Sequence, residues 1–175
     1  MKCKKTLALL LALAFLLAGC SANGGAHAFT AETLDGGSFT HEDIAAKDLT
    51  IINFWGTFCP PCLAEMPDLA GFAKALPDNV QLITVCTDAL GNEGKAKALL
   101  ELAGYEGITL TGGDEAFGKM LEDIQAVPTT IFLDSQGNQV GDAVIGGQAD
   151  LQGAFLAAAN KALVESGKAE ISLAG

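Results

Sequence analysis

The sequence predicts an α/β fold: a three-layer sandwich around a mixed central sheet, with a β-hairpin at its N-terminal side. Three observations lead there. Apolar, β-branched runs of strand length ("LTIINFW", "VQLITVCTD", "TTIFLD") alternate with stretches of helical periodicity. The last of these runs is followed by a turn and a second extended piece, so at least one strand pair is antiparallel. Half of the 175 residues are hydrophobic and 18% are charged, enough apolar side chains for a core between layers.

The first 28 residues read as processing and tether rather than fold. "MKCKK" is basic, and "TLALLLALAFLLAG" is an apolar run too short for a comfortable span of about 20 residues. Residues 1–19 are therefore expected to be a signal peptide. "LLAGC", Leu16 to Cys20, resembles the lipobox of bacterial lipoproteins. That resemblance implies cleavage before Cys20, lipid on Cys20, and an extracytoplasmic protein anchored to a bacterial membrane. Residues 20–28, small and polar after the cysteine, read as a flexible tether. Losing Lys2, Lys4 and Lys5 leaves seven lysines against 21 acidic residues, and there is no arginine. Nucleic acid, which needs a basic footprint, is not a partner of such a surface.

The domain is expected over residues 29–166, with 167–175 as a tail. "FTAETLDGGSFT" signals a hairpin about Gly36-Gly37, and "HEDIAAKD" a short helical turn. "LTIINFW" is a buried strand. From Pro60 to Leu76, apolar residues recur at helical spacing. Pro60 and Pro61 suit a first turn, and Pro67 lies inside the helix. "VQLITVCTD" is a second buried strand, and residues 91–105 form a helix ending near Gly104. "GITL" is a short extended piece, and residues 114–124 form a helix that Asp114 caps. "TTIFLD" is a strand, "SQGN" its turn and "QVGDAVIG" its partner; residues 149–166 close the domain as a helix.

The chemistry lies in "NFWGTFCPPC", where Cys59 and Cys62 stand at the junction of a buried strand and a helix. A helix N-terminus offers N–H groups and a positive dipole end, and both favour thiolate over thiol. The thiolate is the attacking species in disulfide exchange. Cys59 would attack and Cys62 would resolve the mixed disulfide. Two plainer readings stand beside this one. A structural bridge would close a loop too small to constrain the unfolded chain much. A zinc site needs two more ligands, and only Cys86, His27 and His41 are on offer. Cys86, mid-strand, reads as a small core hydrophobe. Asp88 and the other acids read as solvated faces.

"NFWGTFCPPC", "LAEMP" and "AVPTTIFLD" together resemble the thioredoxin superfamily, and within it the TlpA/ResA-like membrane-anchored thiol-disulfide oxidoreductases. The resemblance runs from about Phe29 to Glu165. It implies a thioredoxin-like sandwich and a cis bond between Val127 and Pro128 beside the dithiol. It implies a redox disulfide between Cys59 and Cys62, with substrate pairing at Val127. Trp55 is a candidate for packing or for substrate contact. Where thioredoxin has a buried aspartate, this chain has Asn53, which carries no proton. Where TlpA/ResA-like proteins have a glutamate, it has Glu65, placed to take the proton of Cys62. No metal or organic cofactor is implied. The expected partners are disulfides of exported proteins such as apocytochromes c, with a membrane dithiol as electron donor and the chain acting as a monomer. Electron supply to a methionine sulfoxide or peroxide reductase is an alternative. So is copper carriage, although the copper-delivering relatives use a longer spacer and a late histidine that this chain lacks.

Overall fold

The computed structural model describes residues 29–174. The segments expected to be a signal peptide (residues 1–19, with Cys3) and a tether (20–28, with Cys20 and His27) lie outside the described residues, as does Gly175.

The chain forms β1 (Ala31–Thr33), β2 (Ser38–Phe39), α1 (His41–Ala45), β3 (Leu49–Trp55), α2 (Pro60–Ala75), β4 (Val80–Cys86), α3 (Glu93–Ala103), β5 (Thr109–Gly113), α4 (Glu115–Glu122), β6 (Thr129–Asp134), β7 (Val144–Ile145) and α5 (Leu151–Glu165). The seven strands make one sheet in the order β2-β1-β5-β4-β3-β6-β7. The β3–β4 and β4–β5 pairs are parallel, while β1–β5, β3–β6 and β6–β7 are antiparallel. The sheet is mixed, as the sequence predicts.

Central β3 explains the two cores. It is buried along its whole length, and successive side chains point to opposite faces. Leu49, Ile51 and Trp55 face one layer with Met66, Leu69 and Phe72 of α2, Leu100 of α3 and Phe155 of α5. Ile52 and Phe54 face the other, with Ile44 of α1 and Phe117 and Met120 of α4. Each layer therefore buries an apolar helix stripe against one side of the sheet. By register, Asn53 is the polar residue on the α2 side of β3.

The caps follow local chemistry. Thr40 and Asp43 form a reciprocal capping box before α1, Asp114 caps α4, and Gly104 ends α3 at φ +70°. Pro67 sits inside α2 without ending it. Two elements differ from expectation. The strand anticipated at residues 107–110 falls at Thr109–Gly113, where β1 pairs with it and holds it extended. The partner strand anticipated across residues 139–146 pairs as a ladder only at Val144–Ile145, with a lone bridge from Gln139 to Leu133. Beyond α5 the chain folds back. Asn160 bonds the backbone of Ile171 in both directions, and the Ala174 N–H donates to the Ala75 carbonyl at 2.9 Å. No helix among the described residues is long and apolar enough to cross a membrane.

Candidate active site

β3 ends at Trp55, and α2 begins at Pro60. Cys59 is the N-cap of α2, with extended backbone, and it is disulfide-bonded to Cys62. The positions N1 and N2 are prolines, which lack N–H groups. The first N–H that the helix offers is therefore that of Cys62, and it donates to Cys59 Sγ at 3.2 Å. This donor, with the dipole end behind it, would favour a Cys59 thiolate once the bridge is reduced. From the other side the Val127 carbonyl oxygen lies 3.6 Å from Cys59 Sγ, an acceptor that would favour the thiol. Both sulfurs are nearly enclosed: Cys59 is 4% exposed and Cys62 1%.

The Val127–Pro128 bond is cis, and Val127 is half-buried beside the pair. The structure thus brings Val127, 68 residues beyond Cys59 in sequence, and with it Pro128, to the dithiol. A groove of about 560 Å³ runs alongside, lined by Phe58, Thr87, Leu121, Ile124 and Val127 among others. A larger cavity of about 710 Å³ lies at the hairpin edge, between Glu32, Ser38 and Asp114, and includes neither sulfur. Phe58, 66% exposed, is the aromatic that borders the groove. Trp55 is not open to a client: it is wholly buried, and its indole N–H has no partner. Of its two candidate roles, packing is the one its position supports.

Glu65 is buried on α2, one turn beyond Cys62, and its Oε2 has no hydrogen-bond partner. Burial pushes its carboxyl above the usual range; the Gln148 backbone N–H and the Asn53 side-chain amide oppose the shift without cancelling it. Asn53 also donates to Thr130 Oγ1 at 3.0 Å. The residue that replaces thioredoxin's aspartate thus lies between β6 and the Glu65 carboxylate. Gly147 covers Glu65 closely: a Cβ there would stand 3.6 Å from both Glu65 Oε2 and Pro61 Cβ.

Cys86 is buried, as expected for a core residue. Burial, then the charge of Asp88, pushes its thiol up to about 12. Asp88 corrects the sequence reading, which took it for a solvated acid. It is only partly exposed and accepts two hydrogen bonds from Thr57, in the turn that leads to Cys59. Burial raises its pKa, but the bonds from Thr57 outweigh that and hold it below the usual carboxylate range. The contact spans 31 residues, and no local motif announces it.

Comparison with known proteins agrees with this geometry. A family model described as Redoxin matches residues 22–144. The sporulation thiol-disulfide oxidoreductase A of Bacillus subtilis is 27% identical over 112 residues, 62% of this chain and 66% of the relative. The thiol-disulfide oxidoreductase ResA of Halalkalibacterium halodurans is 30% identical over 117 residues, 64% of this chain and 62% of the relative. The chain thus spans just under two thirds of the length of these relatives. Among solved structures, the exposed lipoprotein thioredoxin Etrx1 of Streptococcus pneumoniae is similar with a TM-score of 0.57 at 26% identity, over 73% of this chain and 95% of that one. The fold is thioredoxin-like, and the relatives are of the kind that the motif residues suggested.

Proposed function

The chain belongs to the Redoxin family, and from that premise we propose that it is a thiol-disulfide oxidoreductase held outside the cytoplasm by lipid on Cys20. It reduces disulfides of exported proteins, apocytochromes c among them. The observation that carries this reading is the setting of Cys59. It caps a helix whose first N–H points at its sulfur, it faces Val127, and it is bonded to Cys62.

The cycle balances as follows. The Cys59 thiolate attacks one sulfur of a client disulfide, forming a mixed disulfide and releasing the other client sulfur as a thiolate, which takes up a proton. Cys62 loses its proton and attacks Cys59 Sγ. The Cys59–Cys62 bond forms, and the second client thiolate leaves. The client gains two electrons and the pair loses two. An external membrane dithiol returns them by the reverse exchange and is itself oxidised. Glu65 is the group placed to take the Cys62 proton: a buried carboxyl with raised affinity for protons is a competent base for a thiol. The client backbone pairs at Val127 as an added strand, and Phe58 borders the groove that receives its side chains.

The test is mixed-disulfide trapping in the full chain. Cys62→Ala should accumulate client adducts through Cys59, and Cys59→Ala almost none. Adducts on Cys62 instead would reverse the roles. Trapping of a methionine sulfoxide or peroxide reductase in place of cytochromes would redirect the electrons to repair. Stoichiometric copper on the reduced protein, with no adducts, would favour carriage. Cys20→Ala should release the protein from membranes, whereas continued tight association would argue for an uncleaved helix.

A further inference from the structure

The turn at residues 56–58 joins β3 to α2, so whatever orients the turn orients Cys59. Its own bond is the one from the Cys59 N–H to the Gly56 carbonyl at 3.1 Å. The end of β4 supplies the others. Thr87 donates its N–H and its hydroxyl to the Trp55 carbonyl, at 2.8 and 3.0 Å. Asp88 takes the Thr57 N–H on Oδ1 at 2.8 Å and the Thr57 hydroxyl on Oδ2 at 2.6 Å. Thr57 is buried, so water competes little for these bonds. Asp88 is braced from behind: the Asn92 side-chain amide donates to its carbonyl at 2.8 Å, and the Ala89 N–H closes a turn on the Cys86 carbonyl at 3.2 Å. The Cys86 thiol, 3.5 Å from Oδ1, is a third and weaker donor.

We propose that Asp88 is a positioning residue of the dithiol: by gripping Thr57 through both carboxylate oxygens it orients the turn that carries Phe58 and Cys59, and so sets the reactivity of the Cys59 sulfur without touching it. This deepens the functional reading above and rests on Cys59 being the attacking thiol.

A carboxylate in this place acts in two opposed ways. Its charge disfavours a nearby thiolate. Its grip on Thr57 keeps Cys59 Sγ on the Cys62 N–H, which favours the thiolate. Both oxygens accept donors from Thr57, which ties the carboxylate to the turn, and orientation prevails over the charge. The two effects differ in sign, and a measurement separates them. The other titratable groups around the turn and pair are Cys86, from β4, and Glu65, from α2. Both are left in place.

The test is the pH dependence of Cys59 alkylation by iodoacetamide, read by mass spectrometry on the reduced full chain in detergent, alongside exchange with a model disulfide. Asp88→Ala should move the alkylation profile to higher pH and slow the reaction at neutral pH by about tenfold. Thr57→Val removes one bond and no charge, and should shift the profile the same way by less. Thr57→Ser keeps the hydroxyl and should overlay the parent. If Asp88→Ala does not fold, Thr57→Val decides alone. A profile that overlays the parent in Thr57→Val, or that moves to lower pH in Asp88→Ala, overturns the proposal, the latter because charge alone would then govern. A parent chain that exchanges no disulfide sinks the functional reading. A parent that exchanges normally, with variants that match it, sinks the role of Asp88 only.

Discussion

Cys59, at the start of α2, and Cys86, at the end of β4, are two buried sulfurs in one core layer, 4% and 1% exposed. Burial does not tell them apart. Their polar neighbours do. Cys59 meets the N–H of Cys62 at a helix start. Cys86 meets the carboxylate of Asp88, which adds to burial in driving its thiol up to about 12. A donor beside a sulfur, even with the neutral Val127 carbonyl opposite, prepares a nucleophile; a charged carboxylate keeps a thiol inert. In this fold the two environments sit at the C-terminal ends of adjacent parallel strands, where Trp55 and Cys86 are register partners.

The contrast can be broken from either side. The largest effect should come from Cys59→Ala, which should bring disulfide exchange with a model substrate down to the uncatalysed rate. Retained catalysis would move the nucleophile elsewhere. Next is Glu65→Gln, expected to slow exchange roughly 10²-fold through loss of the base and to change its profile between about pH 5 and 9. The same variant tests the buried carboxyl by stability. Its pKa is raised above the ordinary 4.5, so the folded chain loses stability as pH rises from there through the folded value. Glu65→Gln should therefore gain on the parent at neutral pH, and denaturant titrations should show the gap closing toward pH 4. The smallest effect belongs to Cys86→Ala, with a cost of about 1 kcal/mol for the lost packing at neutral pH. Its ordinary value is 9.0 and its folded value about 12, so what the thiol contributes is full below pH 9 and lost as pH rises toward 12. The deficit of Cys86→Ala should shrink over that window in melts; a constant deficit would mean that Cys86 does not titrate there.

The sheet and the dithiol were legible because their signals are local. β3 is a seven-residue run dominated by apolar and β-branched residues, Gly104 takes the left-handed backbone that ends α3, and Asp114 stands where a cap belongs. The cysteine spacing and Pro128 carried the site through family likeness. What escaped depends on long-range packing. The expected extended piece stops at Leu110, yet Gly113 belongs in β5, where the chain entering β1 passes so close that a Cβ would come within 2.5 Å of the Thr30 carbonyl oxygen. Trp55 reads equally as a packing residue or a substrate contact, and strand alternation turns it into the core. The link from Thr57 to Asp88 joins residues from two strand ends, and neither residue type signals it alone. The covering of Glu65 by Gly147 likewise arises only when the loop after β7 closes over α2.

The antiparallel pairing of β1 with β5 fixes where the chain enters the domain. Ala31 is opposite Gly113, at the C-terminal end of β5, and β5, β4 and β3 run parallel. The entry point and the dithiol are thus at the same end of the sheet, three strand spacings or about 14 Å apart across it. With lipid on Cys20, the eight residues 21–28 make a leash of at most about 29 Å. Lengthening that leash by twenty residues should leave exchange with soluble disulfides alone and slow reduction by the membrane donor; equal rates for both would mean that reach is not limiting. Under the proposed lipid anchor at Cys20, a mooring on the working side would make the protein a bottom-dweller, its reactive end turned toward the bilayer and its range confined to the water layer just above.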